Sequence, residues 1–110
     1  MELSRNDVAH EVQVGDSVLF SVVPGWTFVG VIEHLGETSV SLAPASWVET
    51  LVDQNTISHL QYAKDPTKVA ERAWGMEKAV IPYQGVCWFA KMKGDARAFS
   101  IAVEALKKSR

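Results

Sequence analysis

From Gly15 onward the chain is cut into short apolar runs by glycine and proline, and this punctuation restricts it to small, tightly turned β structure. Gly15-Asp16 leads into SVLFSVV, Pro24-Gly25 separates that run from WTFVGVIEH, and Leu35-Gly36-Glu37 precedes TSVSLA. Within the runs, side chains alternate in character with the period of an extended strand. The pattern predicts strands over about 17–23 and 26–34 and a third through Val40 and Leu42. Ala43-Pro44-Ala45 is expected to end the third, since proline cannot donate to a ladder, and WVETLV to form one more short strand. Gly30 occupies the slot between Phe28 and Ile32 on one face of the middle strand. A glycine there marks a bend, a bulge or the close approach of another backbone. It is expected to let the strand bend across a small barrel; the alternative is that it leaves floor space for a ligand beside Trp26 and Phe28.

After the strands the period changes. In DQNTISHLQYAKD, Asn55 is placed to cap a short helical stretch through Ile57 and Leu60, although β-branched Thr56 and Ile57 also allow a strand. Asp65-Pro66 is a stronger helix start, with the carboxylate as N-cap and proline in the first turn. That helix is predicted to reach Trp74 and stop at Gly75, with Lys64, Lys68 and Arg72 as a basic stripe at every fourth position. KAVIPYQGVCWFAKM reads as two strands parted by Tyr83-Gln84-Gly85, with Pro82 at an edge or turn. Gly94-Asp95 then caps a helix over 96–107 whose Phe99, Ala102, Val103 and Leu106 keep the spacing of one apolar face.

The resulting layout is a single domain, 1–110. Residues 1–14 form an N-terminal arm, 15–52 the barrel hairpins, 53–75 a helical insertion, 76–92 further strands and 95–107 a C-terminal helix. The fold class is mainly β (α+β): a small, strongly bent barrel with a short helical insertion and a C-terminal helix.

At 47% apolar residues, 110 residues can build a core without staples, and the single cysteine, Cys87, leaves no internal disulfide and no multi-cysteine zinc site. Its neighbours Val86 and Trp88 predict a buried thiol. No apolar run reaches the length of a membrane span and the first residues are too polar for a secretory signal, so a cytoplasmic, membrane-free protein is expected. The net charge of −2 conceals a split. Residues 1–63 carry one basic and eight acidic side chains, net −7, and residues 64–110 carry ten basic and five acidic, net +5. Opposite signs on two halves can draw copies together, or supply a local site for an anion.

Two stretches carry a resemblance. VGDSVLFSVVPGWTFVGVIE is similar to the opening hairpins of SH3-like and Sm-like β-barrels, where a Gly-Asp turn leads into bent strands. FVGVIEHLGETSVSLAPASWV resembles a loose pattern in small uncharacterised proteins of tailed phages: an aromatic, a glycine, an alternating strand, a turn, then V-x-L-x-x-A. The resemblance implies an SH3-like or Sm-like barrel and transfers no binding residues.

No catalytic or phosphate-cradling motif is present, and His10, His34 and His59 have no metal-ligand spacing. A non-enzymatic role without cofactor or metal follows as the expectation. Four tryptophans supply flat faces, but a pI near 5.9 argues against a long polyanion. A small anion asks less: an aromatic face and two or three cations. Trp26, Phe28, Trp47, His59, Lys68, Arg72 and Trp74 are the candidate set for a nucleotide-like ligand held by a homo-oligomer, a sequestering role that would suit a phage accessory protein acting against host defence. The same residues permit a structural or adaptor protein, for instance in virion assembly, and thirdly RNA binding in an Sm-like ring. Trp47 and Trp88 serve equally well as core filler, and Lys64, Lys68 and Arg72 as a solvated helix face.

Overall fold

The computed structural model describes residues 4–22, 26–48, 73–92 and 94–108. They form a mainly β structure, a six-stranded antiparallel sheet with two helices: α1 (Arg5–Glu11), β1 (Ser17–Val22), β2 (Trp26–Leu35), β3 (Ser39–Val48), β4 (Ala73–Met76), β5 (Ala79–Pro82), β6 (Val86–Lys91) and α2 (Ala96–Lys108). The strand order is β4-β3-β2-β1-β6, and β5 pairs with β3 beyond the end of β4. A single 3-10 turn, Tyr83–Gly85, links β5 to β6. Lying flat, strands beside β3 and beside β1 would be separated by several spacings of about 4.8 Å. A 3-10 turn of this length advances only about 6 Å. The sheet must therefore curl strongly.

Each face of the sheet carries its own core. Alternation sends Val18 and Phe20 of β1 and Ile32 of β2 to one face, where they meet Val40, Leu42, Ile81 and Tyr83. Leu19, Val29 and Val31 go to the other and are covered by Ala96, Phe99 and Val103 of α2. The apolar stripe read from the sequence thus docks α2 on the sheet, and the helix starts where Asp95 accepts the Arg97 N–H at 3.0 Å and Ser17 Oγ accepts that of Ala96 at 2.9 Å.

Four expectations are overturned. Residues 5–11 are helical, not part of a loose arm: Ser4 and Asp7 form a reciprocal capping box, and Val8, fully buried, is driven into the first core. Pro44 does not end β3. Ala43 and Pro44 form a bulge opposite Val31, and the outer neighbour of β3 changes there from β5 to β4, so the missing N–H falls where the ladder is already interrupted. Ala73, Trp74 and Gly75 belong to a strand instead of closing a helix, because Ala73 packs into the second core and Trp74 pairs with Trp47. Cys87 is exposed. Val22 pairs with Val86 and Ser21 with Trp88, which leaves Cys87 as the extra residue of a bulge; Val86 and Phe89 both turn inward while the thiol turns out. The helices expected within 53–72 lie outside the described residues.

The slot at Gly30 is filled. A Cβ there would lie 2.8 Å from Leu42 Cβ and 2.8 Å from the Pro44 carbonyl oxygen, so β3 crosses at a distance only glycine permits. The ligand-floor alternative fails at this position; close backbone approach at the bulge explains the residue.

Candidate functional site

The β3 bulge changes which residues of that strand face the first core. Val40 and Leu42 face it before Pro44, and Ala45 and Trp47 after it. Trp47 therefore sits in register between Phe28 on β2 and Trp74 on β4, and the three aromatics form a cross-strand ladder at one end of the curled sheet. Trp26, two residues before Phe28 on the same face, joins them. Ring centroids lie 4.7 Å apart for Trp47 and Trp74, 5.7 Å for Trp26 and Trp47, and 6.4 Å for Trp26 and Phe28. Such pairs contribute about 0.5–1.5 kcal/mol each beyond their buried area. Of the sequence candidates, the structure brings together Trp26, Phe28, Trp47 and Trp74. His59, Lys68 and Arg72 lie outside the described residues.

The cluster is half in and half out of the core. Trp47 is half-buried, with its indole Nε1 shielded from solvent and lacking a hydrogen-bond partner among the described residues, whereas Trp26 is 49% and Trp74 39% exposed. Beside them runs a groove of about 410 Å³ lined by Val22, Trp26, Phe28, Met76, Val80 and Pro82. Met76 and Val80 are themselves 38% and 59% exposed. Large apolar side chains left in water side by side mark a surface suited to being covered. Lys78 also lines the groove, its Nζ 3.4 Å from Glu33 Oε2, with both side chains about half exposed. Screening by water leaves little net energy in that pair.

Met76, Val80 and Pro82 were missed by the sequence reading. The signal was present: Trp74 and Met76 alternate about Gly75, as Val80 and Pro82 alternate about Ile81. The helix assignment over Trp74 hid the first pair, and the curl that brings β5 alongside β2 is not a local property.

A second, more polar hollow of about 560 Å³ lies on the far side of Val80 and Pro82, lined also by Ser4, Glu37, Thr38 and Gln84. At its base the Tyr83 hydroxyl donates to the Gly36 carbonyl at 2.7 Å. Burial pushes the Tyr83 phenol above its ordinary value, with the Arg5 guanidinium acting in the opposite direction.

His10 and His34 are exposed on separate elements, and no group of three metal-ligating side chains occurs among the described residues. No helix among them is long and apolar enough to cross a membrane. No known protein family and no curated protein matches the chain.

Proposed function

We propose that this protein is a non-catalytic binding module, an adaptor that takes an extended apolar segment of a protein partner, bearing proline or an aromatic residue, in the groove beside the tryptophan ladder. The observation that carries this reading is the groove's lining: Trp26 and Phe28 together with Val22, Met76, Val80 and Pro82, and an ion-paired lysine, Lys78. Aromatic-lined grooves suit segments in the polyproline II conformation, which lose little entropy on binding. The curl of the sheet supports a finer reading of the fold as an SH3-like barrel. A 3-10 turn joins the strand beside β3 to the strand beside β1, which is how a five-strand meander closes on itself.

A nucleotide-like ligand is the second reading, favoured by the exposed face of Trp26 with Lys78 nearby on the groove. Only one-sided stacking is open to it. Trp26, Trp47 and Trp74 already touch one another and leave no slot between rings for a base. Extended nucleic acid fits worse, given a net charge of −2.

The test is selection of a displayed random peptide library on the purified protein, followed by titration of the enriched sequence against wild type and Trp26→Ala. Enrichment of proline or aromatic residues is expected, with at least a tenfold loss of affinity in the variant, measured at a temperature where its melting curve shows it fully folded. No enrichment, together with saturable quenching of tryptophan fluorescence by a nucleotide, would replace this reading with the second.

A further inference from the structure

Three strands, β4, β5 and β6, have an outer edge that no other described strand pairs with. Two of them carry features that discourage a further strand. β5 ends in Pro82, and β6 is broken by the Cys87 bulge and ends in Lys91. β4 carries none. Its sequence, Ala-Trp-Gly-Met, has no charge and no proline, and its register with β3 runs unbroken from Ala45↔Met76 to Val48↔Ala73. It also displays two of the large exposed apolar side chains of the molecule, Trp74 and Met76.

Those two residues flank Gly75 symmetrically, and this selects the occupant. We propose that β4 is a self-pairing edge: two copies of this chain join antiparallel through Trp74–Met76 about a two-fold axis at Gly75. In that register Trp74 lies opposite the partner's Met76 on one face, and the symmetry repeats the contact, so each exposed indole meets a thioether across the junction. Residues opposite one another on paired strands have Cβ atoms about 4.5–5.5 Å apart, within reach of such a contact. The Phe28, Trp47, Trp74 ladder then continues into the second copy, and the partner's Trp74 stands beside Met76 on the groove. An unrelated strand could satisfy the backbone of β4, but the W-G-M symmetry is specific to a second copy.

The other face sets the electrostatics. Glu104 of α2 lies over Gly75, its Oε1 2.5 Å from where a Cβ would be. Pairing at Gly75 brings the two Glu104 carboxylates to the same face of the joined sheet, facing each other across the axis. Added salt screens that repulsion, so the dimer should tighten with ionic strength, whereas association of the acidic first half with the basic second half would weaken. A four-residue edge buries little area, so the dimer should be weak and concentration-dependent.

The experiment is sedimentation equilibrium over a concentration series, without peptide or nucleotide, on wild type and Met76→Lys, with thermal melting as the control for folding. Wild type should move from 12.1 kDa toward twice that mass, more readily in high salt, while Met76→Lys stays at 12.1 kDa and melts as wild type does. In parallel, Trp74→Cys and Met76→Cys, each combined with Cys87→Ser, are mixed with a short thiol-reactive cross-linker. A cross-linked heterodimer is expected from the mixture and not from either variant alone. Wild type that stays monomeric throughout, a dimer that survives Met76→Lys, or the absence of the cross-link would each overturn the proposal; if Met76→Lys melts early, the cross-link decides. Because no ligand is present, failure here leaves the groove reading standing, and failure of the peptide selection leaves the dimer standing.

Discussion

At Gly30 the contact is close enough to forecast a number. The Leu42 side chain and the Pro44 carbonyl occupy the space a methyl group would need, and one of these two equally close obstacles is backbone, which cannot rotate aside. Gly30→Ala should therefore destabilise the fold by about 1–3 kcal/mol, the usual cost of forcing an extra carbon into a packed site. Thermal denaturation reads it directly, and an unchanged midpoint would mean that β2 and β3 separate easily at the bulge. The sequence signalled this residue clearly, because an alternating strand has no local use for a glycine. Cys87 was misread for the converse reason. Alternation would have put Cys87 on the inward face with Phe89, and a bulge, which depends on the partner strand, broke it.

Among the elements, β1, β2, the β5–turn–β6 unit and α2 were legible in residue order, since each carries its own period or punctuation. α1 was not, although Ser4-x-x-Asp7 is a capping signature written in full. Its single deeply buried side chain, Val8, gives no periodicity to detect. The box makes the helix acid-sensitive. Hydrogen bonds from the Ser4 backbone and side chain hold the Asp7 carboxyl below its ordinary value. A depressed folded-state value stabilises the fold above the ordinary carboxylate range, and that contribution is lost as pH falls through the folded value. Asp7→Asn should flatten the acid limb of the stability profile, measured by urea unfolding at a series of pH values. An acid limb identical to wild type would show that α1 is already detached before Asp7 titrates.

For the whole molecule, the β3 bulge and the pairing of β4 with β3 had no local signature, and it is these that bring Trp47 and Trp74 into line with Trp26 and Phe28. The aromatic half of the candidate site could be named from residue type alone. Its apolar wall could not, because Met76, Val80 and Pro82 reach β2 only through the curl. Tyr83 sits where the curl is made, its hydroxyl tying the β5–β6 link to the turn between β2 and β3. Its phenol is raised above the usual value of about 10, so its contribution is fully present below that pH and lost as pH climbs through the folded value. Alkaline unfolding of wild type should steepen there, and Tyr83→Phe should lose the added steepness while starting from lower stability. Superimposable alkaline profiles would place the weak point of the fold elsewhere.

The link between β5 and β6 also bears on the order of events when the chain is made. β1 is synthesised before β2, β3, β4 and β5, yet its outer partner β6 follows all of them. Until then β1 can form a hairpin with β2 but keeps one edge open, with Leu19 and Phe20 unprotected on its two faces. Pairings between segments so distant along the chain close slowly, because the entropy of the intervening loop is lost before the contacts return it. The interval in which this protein is most exposed to misassociation therefore runs from the completion of its first hairpin to the arrival of its last strand. Conditions that shorten that interval, not ones that strengthen the finished core, should raise the yield of folded protein.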